Sequence, residues 1–344
     1  MSDPLPILEL TSAQFIAASA VRGVPRGNAL TAYRDFFRLG RTAGGDIAVP
    51  DMPIAQRREE GQTIKFTQRL DAGLETETVI LPYTGRSGQP RHTLCVSSQV
   101  GCAMGCTFCE TARMGLRRNL TAAEIVAQWF AARFRLLAPV GNVVFMGMGE
   151  PMDNVEAVAQ AIRVLTDANG AAVAPSRITV STVGRVDGIR RLAALAAEPG
   201  LGRLRLAVSI NAADDRLRGE LMPINRAEPL GDLRRAMVQW TASGRRRVLI
   251  EYVLIPAVND RPDQADALDR FLGDLPCTVN VIPYNPRRDS PWPAPADDAV
   301  DRFLGRLAAH GRRVTRRRTT GRTVMAACGQ LGNEHLRRPG TLAR

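Results

Sequence analysis

The sequence predicts an α/β protein, a partial (β/α)6 barrel with a small N-terminal accessory domain. Three observations predict it. Short apolar runs alternate with amphipathic stretches from about residue 91 onward. The runs are apolar nearly throughout, which suits strands buried on both faces. Glycines and polar residues collect just after the runs, at the strand ends where α/β barrels carry their sites.

Residues 1–90 form the accessory domain. They show weak periodicity and many breakers, among them Pro25, Gly27, Pro50 and Pro53. Short helices fit within 11–37. Residues 62–82 read as a β-hairpin turning near Ala72 and Gly73. Strands are expected at 93–98, 142–147, 177–182, 204–210, 247–254 and 278–283, with a further one at 313–319. Helices are expected at 122–137, 154–168, 186–198, 230–243, 263–273 and 297–310. Strand–helix alternation implies a parallel sheet covered by helices. Six units fall short of the eight in a closed barrel. The barrel core spans 91–332, and 333–344 is a basic C-terminal tail.

The composition, 45% hydrophobic and 23% charged, is that of an ordinary globular protein. No apolar run is long enough to span a membrane, and the N-terminus lacks the pattern of a secretory signal. The cytoplasm is the expected compartment. The net charge of +12 favours polyanionic partners. Lys65 is the only lysine, so the excess is arginine and reflects composition as much as function. Residues 311–344 hold nine arginines against one acid, Glu334, which suits either a solvated tail or a nucleic-acid contact.

Four of the six cysteines fall between residues 95 and 109. In a reducing compartment such spacing reads as metal ligands or catalytic thiols. Cys102, Cys106 and Cys109 form a C-x3-C-x2-C run. Three thiolates on one loop can hold three irons of a [4Fe–4S] cluster and leave the fourth open. Zinc is the alternative, but it requires a fourth ligand; His92 is near in sequence. Cys277 reads as core.

With Phe108 before its last cysteine, this run resembles the signature of the radical S-adenosylmethionine superfamily. The resemblance narrows over residues 75–332. TLCVSSQVGC, FMGMGEP, ITVST, LAVSI, LMPIN, IEYVLI, VNVIPYNP and AACGQL occur in the order of the RlmN/Cfr-type adenosine-RNA methyltransferases. It implies a radical-SAM barrel that binds one [4Fe–4S] cluster and S-adenosyl-L-methionine. Gly149, Glu150, Ser181, Ser209, Ile210, Asn211 and Asn285 would contact the latter. Two departures from the family pattern are Glu110, after the last cluster cysteine, and Asn211, where histidine is usual.

The same resemblance gives roles to the remaining thiols. Adenine ring carbons are neither acidic nor good nucleophiles, so ordinary methyl transfer to them fails. In the family a methyl group is first placed on the cysteine matching Cys328. A 5′-deoxyadenosyl radical then takes hydrogen from it, and the methylene radical adds to carbon 2 or carbon 8. The thiol matching Cys95 helps remove the ring proton and forms a transient disulfide with Cys328. Glu77 matches a proton acceptor, although a surface hairpin glutamate is the simpler reading. The implied partners are RNA (rRNA and/or tRNA) and an electron donor such as flavodoxin or ferredoxin, with the chain a monomer. A radical enzyme with a non-RNA substrate, or a metal-containing RNA-binding protein without catalysis, are the alternatives.

Overall fold

A computed structural model of the chain describes residues 3–41, 47–85, 88–244 and 246–333. Its centre is one open sheet of ten strands in which neighbours in space are neighbours in sequence. β1 (Ile54–Glu60), β2 (Thr63–Arg69), β3 (Glu75–Thr84) and β4 (Pro90–Cys95) pair antiparallel. From β4 the pairing turns parallel through β5 (Val140–Phe145), β6 (Ile178–Thr182), β7 (Arg205–Ser209) and β8 (Val248–Leu254). β9 (Cys277–Pro283) and the short β10 (Val314–Arg316) continue it. All six expected barrel strands are present, and the further one at 313–319 is β10.

The expected hairpin is β2–β3, and it turns where Ala72 and Gly73 both take left-handed backbone. Because β3 pairs with β4, the boundary at residue 90 falls inside one sheet. β1 escaped the sequence reading. Its IAQRREE has no apolar alternation, as suits an edge strand blunted by charge. The basic tail, from residue 334 onward, lies outside the described residues.

Nine helices of seven residues or more are described. The first two, α1 (Ser12–Ala20) and α2 (Arg26–Leu39), precede the sheet. The others are α3 (Ala122–Phe130), α4 (Val155–Thr166), α5 (Val186–Leu195), α6 (Asp215–Leu221), α7 (Leu230–Thr241), α8 (Pro262–Leu272) and α9 (Asp297–Ala309). Local chemistry sets their ends. Thr121 Oγ1 accepts the Glu124 N–H and the Glu124 carboxylate accepts the Thr121 N–H, a capping box that starts α3. After Phe130 the helix widens into a π-turn over Ala131–Arg135. α8 opens on Pro262, whose missing N–H costs nothing there. α6 was not anticipated; it is short and opens on Asp214, whose carboxylate accepts the Leu217 N–H.

The core is the apolar strand residues, such as Phe145, Val180, Val208, Ile250 and Val281, under the helices. α1 and α2 pack outside the barrel helices. Phe36 of α2 stacks on Phe130 with ring centroids 4.7 Å apart. The Ser12 N–H donates to Asp167 past the end of α4 at 2.5 Å. Burying a side chain such as Phe36 stabilises by about 1.5–3 kcal/mol.

The loop after β4 depends on one glycine. Gly101 sits at φ +77°, and a Cβ there would fall 1.8 Å from the Gly115 carbonyl oxygen. That carbonyl also accepts the Cys102 N–H at 3.2 Å. Gly101→Ala is therefore expected to lower unfolding free energy by more than about 1 kcal/mol, measured by denaturant titration. An unchanged midpoint would contradict this reading of the loop.

Candidate active site

Parallel strands deliver their C-terminal ends to one side of the sheet, and the predicted residues follow them there. Cys102, Cys106 and Cys109 line one cavity with Gly149, Glu150, Ser181, Ser209 and Cys328. Phe108 and Tyr284 supply apolar walls. Burial pushes the Cys102 thiol up to about 12 and those of Cys106 and Cys109 above their usual value. Buried thiols of this kind ionise only when a cation compensates them, as an iron–sulfur cluster does.

Among the described residues no three His, Cys, Asp or Glu side chains converge on a single metal ion. Three thiols lining one cavity suit a cluster whose irons each take one thiolate. His92 sits within β4 opposite Pro82 and Val140 and does not line this cavity. The donor set therefore fits a [4Fe–4S] cluster better than a single zinc ion.

Glu150 is almost fully buried. Its two oxygens accept the Met152 N–H at 3.0 Å and the Val183 N–H at 2.9 Å. Burial still pushes its carboxyl up to about 7, against those hydrogen bonds and one from Thr182. A ligand ammonium would repay that desolvation. Gly149, at φ +98°, lies where a Cβ would come within 2.5 Å of the Gln99 side chain. The backbone therefore packs closely against the cluster loop.

Ile210 and Asn211 are fully buried and do not line the cavity. The Asn211 carboxamide accepts the Val253 N–H at 2.8 Å and donates to Met222 Sδ, while its backbone is left-handed. It braces the floor of the site.

A second cavity of about 380 Å³ adjoins the first, within the range of ligand pockets. Cys95 and Asn285 line it, away from the cluster cysteines. Cys328, Met146, Ile282 and Arg317 line both cavities and form their common wall. Asn285 Nδ2 donates to the Cys328 carbonyl at 3.3 Å. All six cysteines are free thiols, so Cys95 and Cys328 are not joined by a disulfide. Burial, reinforced by Cys328 and opposed by Arg317, pushes the Cys95 thiol up to about 12.

Glu77 is not on the surface. It is buried on β3 and paired with Lys65, because its neighbours are the hairpin strand and the C-terminal segment. It lines neither cavity just described.

Sequence reading missed three contributors. Arg218 is fully buried and donates to the carbonyls of Val183, Ser209 and Ile210 and to Asn225 Oδ1. It ties together the loops after β6 and β7; its setting beside LMPIN was the available signal. Glu251 lines the cluster cavity, and burial raises its carboxyl despite Arg317 and Asn280. Arg317 belonged to the basic C-terminal run, yet it sits between Cys328, Glu251 and Cys95, and Cys328 most of all raises its guanidinium.

Comparison with known proteins agrees with this geometry. Residues 96–268 match the Radical SAM superfamily. A protein of Protochlamydia amoebophila named probable dual-specificity RNA methyltransferase RlmN 1 is 41% identical, covering 97% of this chain and 96% of its own. The dual-specificity RNA methyltransferase RlmN of Geobacter sulfurreducens is 44% identical, covering 81% of this chain and 74% of its own. A radical SAM methyltransferase from Sphaerobacter thermophilus superposes with a TM-score of 0.88 at 38% identity, over 95% of this chain and 99% of that one. The likeness thus extends into the N-terminal segment, beyond the motifs that first suggested it. The chain belongs to the radical S-adenosylmethionine superfamily and, within it, to the RlmN-type methyltransferases.

Proposed function

We propose that this chain methylates a ring carbon of adenine, carbon 2 or carbon 8, in rRNA or tRNA, with Cys328 carrying the methyl group. One observation supports it above the others: Cys328 lines both the cavity of the cluster cysteines and the cavity of Cys95. A thiol in that wall can receive a group on one side and deliver it on the other. The cofactors are a [4Fe–4S] cluster and S-adenosylmethionine; when bound they supply the electron, the methyl group and the radical chemistry.

The chain's own residues would divide the remaining work. Cys102, Cys106 and Cys109 hold three irons, leaving one for the ligand. Glu150 meets the ligand's ammonium, and Gly149 lets the turn that carries Glu150 pack against Gln99 beside the cluster loop. Ser181 and Ser209, at the ends of β6 and β7, face the same cavity and offer hydroxyls to the ligand's polar groups. Cys328 Sγ holds the methyl as a thioether. Cys95, buried in the second cavity, would take the ring proton, which passes to the methylene carbon to complete the methyl group. Its thiolate would bond to Cys328 Sγ as the Sγ–carbon bond breaks, and the one surplus electron would return to the bound cluster. Arg317 lines both cavities and opposes the effect of burial on the Cys95 thiol. Arg318 is exposed on the rim of the second cavity, where a phosphate backbone would approach. The reading includes an external donor such as a flavodoxin or ferredoxin, and a monomer acting in the cytoplasm. Among the described residues no helix is long and apolar enough to cross a membrane.

RNA from cells with the gene is expected to contain C-methyladenosine by mass spectrometry, and RNA from cells lacking it or carrying Cys328→Ala is not. Identical large-subunit rRNA and tRNA from all three would sink the proposal. Arg318→Gln is expected to weaken RNA binding and reduce the slope of log affinity against log salt by about one. An unchanged slope would remove Arg318 from the RNA path.

A further inference from the structure

The segment that carries Cys328 is gripped by an ion pair in the hairpin. Residues 317–333 contain turns but neither helix nor strand. Lys65 on β2 and Glu77 on β3 pair at 2.8 Å, with side chains only 10% and 8% exposed. Lys65 Nζ also donates to the Met325 carbonyl at 3.1 Å. Glu77 Oε2, the oxygen that meets Lys65, accepts the Gly332 N–H at 3.1 Å. Met325 and Gly332 bracket Cys328. Met325 holds φ +54°, a conformation a non-glycine residue keeps only where its surroundings fix it.

The choice of cation agrees with this. Lys65 is the only lysine among 46 cationic side chains. An ammonium is a compact donor with three rotatable N–H bonds, whereas a guanidinium is a planar fork. Reaching a carboxylate on one strand and a carbonyl on a separate segment at once suits the point donor. Neither Lys65 nor Glu77 lines the cavities that hold Cys328; both line a separate cleft on the hairpin side.

We propose that Lys65 and Glu77 form a latch that sets the place of Cys328 in the wall between the two cavities. Both are positioning residues, and Glu77 acts through the loop it holds rather than as the proton acceptor. The latch rests on the function proposed above, since its purpose is to aim the thiol that carries the methyl group.

The test compares the wild type with Lys65→Met and Glu77→Gln, each produced without its cluster, so that Cys328 is an unmethylated thiol, and loaded afterwards. Two quantities are read: the rate at which iodoacetamide alkylates Cys328, resolved by peptide mass spectrometry, and 5′-deoxyadenosine formed per methyladenosine formed. Lys65→Met removes the donor to Met325 and strands a buried carboxylate. It should keep its iron and still cleave S-adenosylmethionine, while methylation falls about a hundredfold, the scale of a 1 Å misplacement. Cys328 should alkylate about tenfold faster, as local opening rises.

Glu77→Gln keeps an oxygen for both Lys65 and Gly332 but cannot act as a base. It should alkylate like the wild type and retain methylation within about tenfold, against the larger losses on removing a general base. Wild-type alkylation and coupling in Lys65→Met would overturn the latch. So would a Glu77→Gln protein that alkylates normally but methylates no better than Cys328→Ala. A wild type that makes no methyladenosine would refute the functional reading instead, and the alkylation rates would still decide the latch.

Discussion

Cys328 lies on a segment without secondary structure, so its position has to come from bonds made by distant parts of the chain. The Gly329 carbonyl accepts the Glu110 N–H at 2.7 Å, which ties the segment to the cluster loop itself. The Leu331 carbonyl accepts from Thr111 Oγ1 at 2.6 Å, and Gln330 Nε2 donates to the Pro286 carbonyl at 2.8 Å. At the near end the Glu60 carboxylate accepts the N–H groups of Gly321 and Thr323. A helix would have fixed the thiol locally. Long-range anchoring instead lets one residue belong to two cavities, at the cost of low local stability.

The rest of the site follows from strand direction and burial. Parallel pairing from β4 to β10 brings the cluster loop, Glu150, Ser181 and Ser209 to one edge. The same enclosure leaves thiols and a carboxyl that resist ionising while alone. A bound cluster and a ligand ammonium would reverse that, so the site is made to be completed by its ligands. Arg218 shows the structural side of this arrangement. Its guanidinium satisfies carbonyls at the ends of two strands, and burial lowers it only to about 10, so it stays charged.

Much of this was legible in the sequence. Near-continuous apolar runs such as TVNVIP identified the buried parallel strands, because period and burial are coupled. The cluster loop was legible because three cysteines at fixed spacing have few other uses. The edge strand Ile54–Glu60 was not, since its charged, exposed face carries no apolar signal. The burial of Glu77 was not legible, because it comes from Lys65 across the hairpin and Gly332 far off in sequence. Arg317 was hidden among neighbouring arginines, and only the fold separates it from Arg318, which faces outward. Asn285, expected at the ligand, is found against the Cys328 carbonyl, a contact made between segments far apart in the chain.

The account turns on a single sulfur atom in the wall between the cavities. Its most direct test is mass spectrometry of the peptides carrying Cys95 and Cys328, from protein purified out of cells that supply S-adenosylmethionine. The account predicts a methyl group on Cys328 and none on Cys95. A methyl group on Cys95, with Cys328 unmodified, would contradict it.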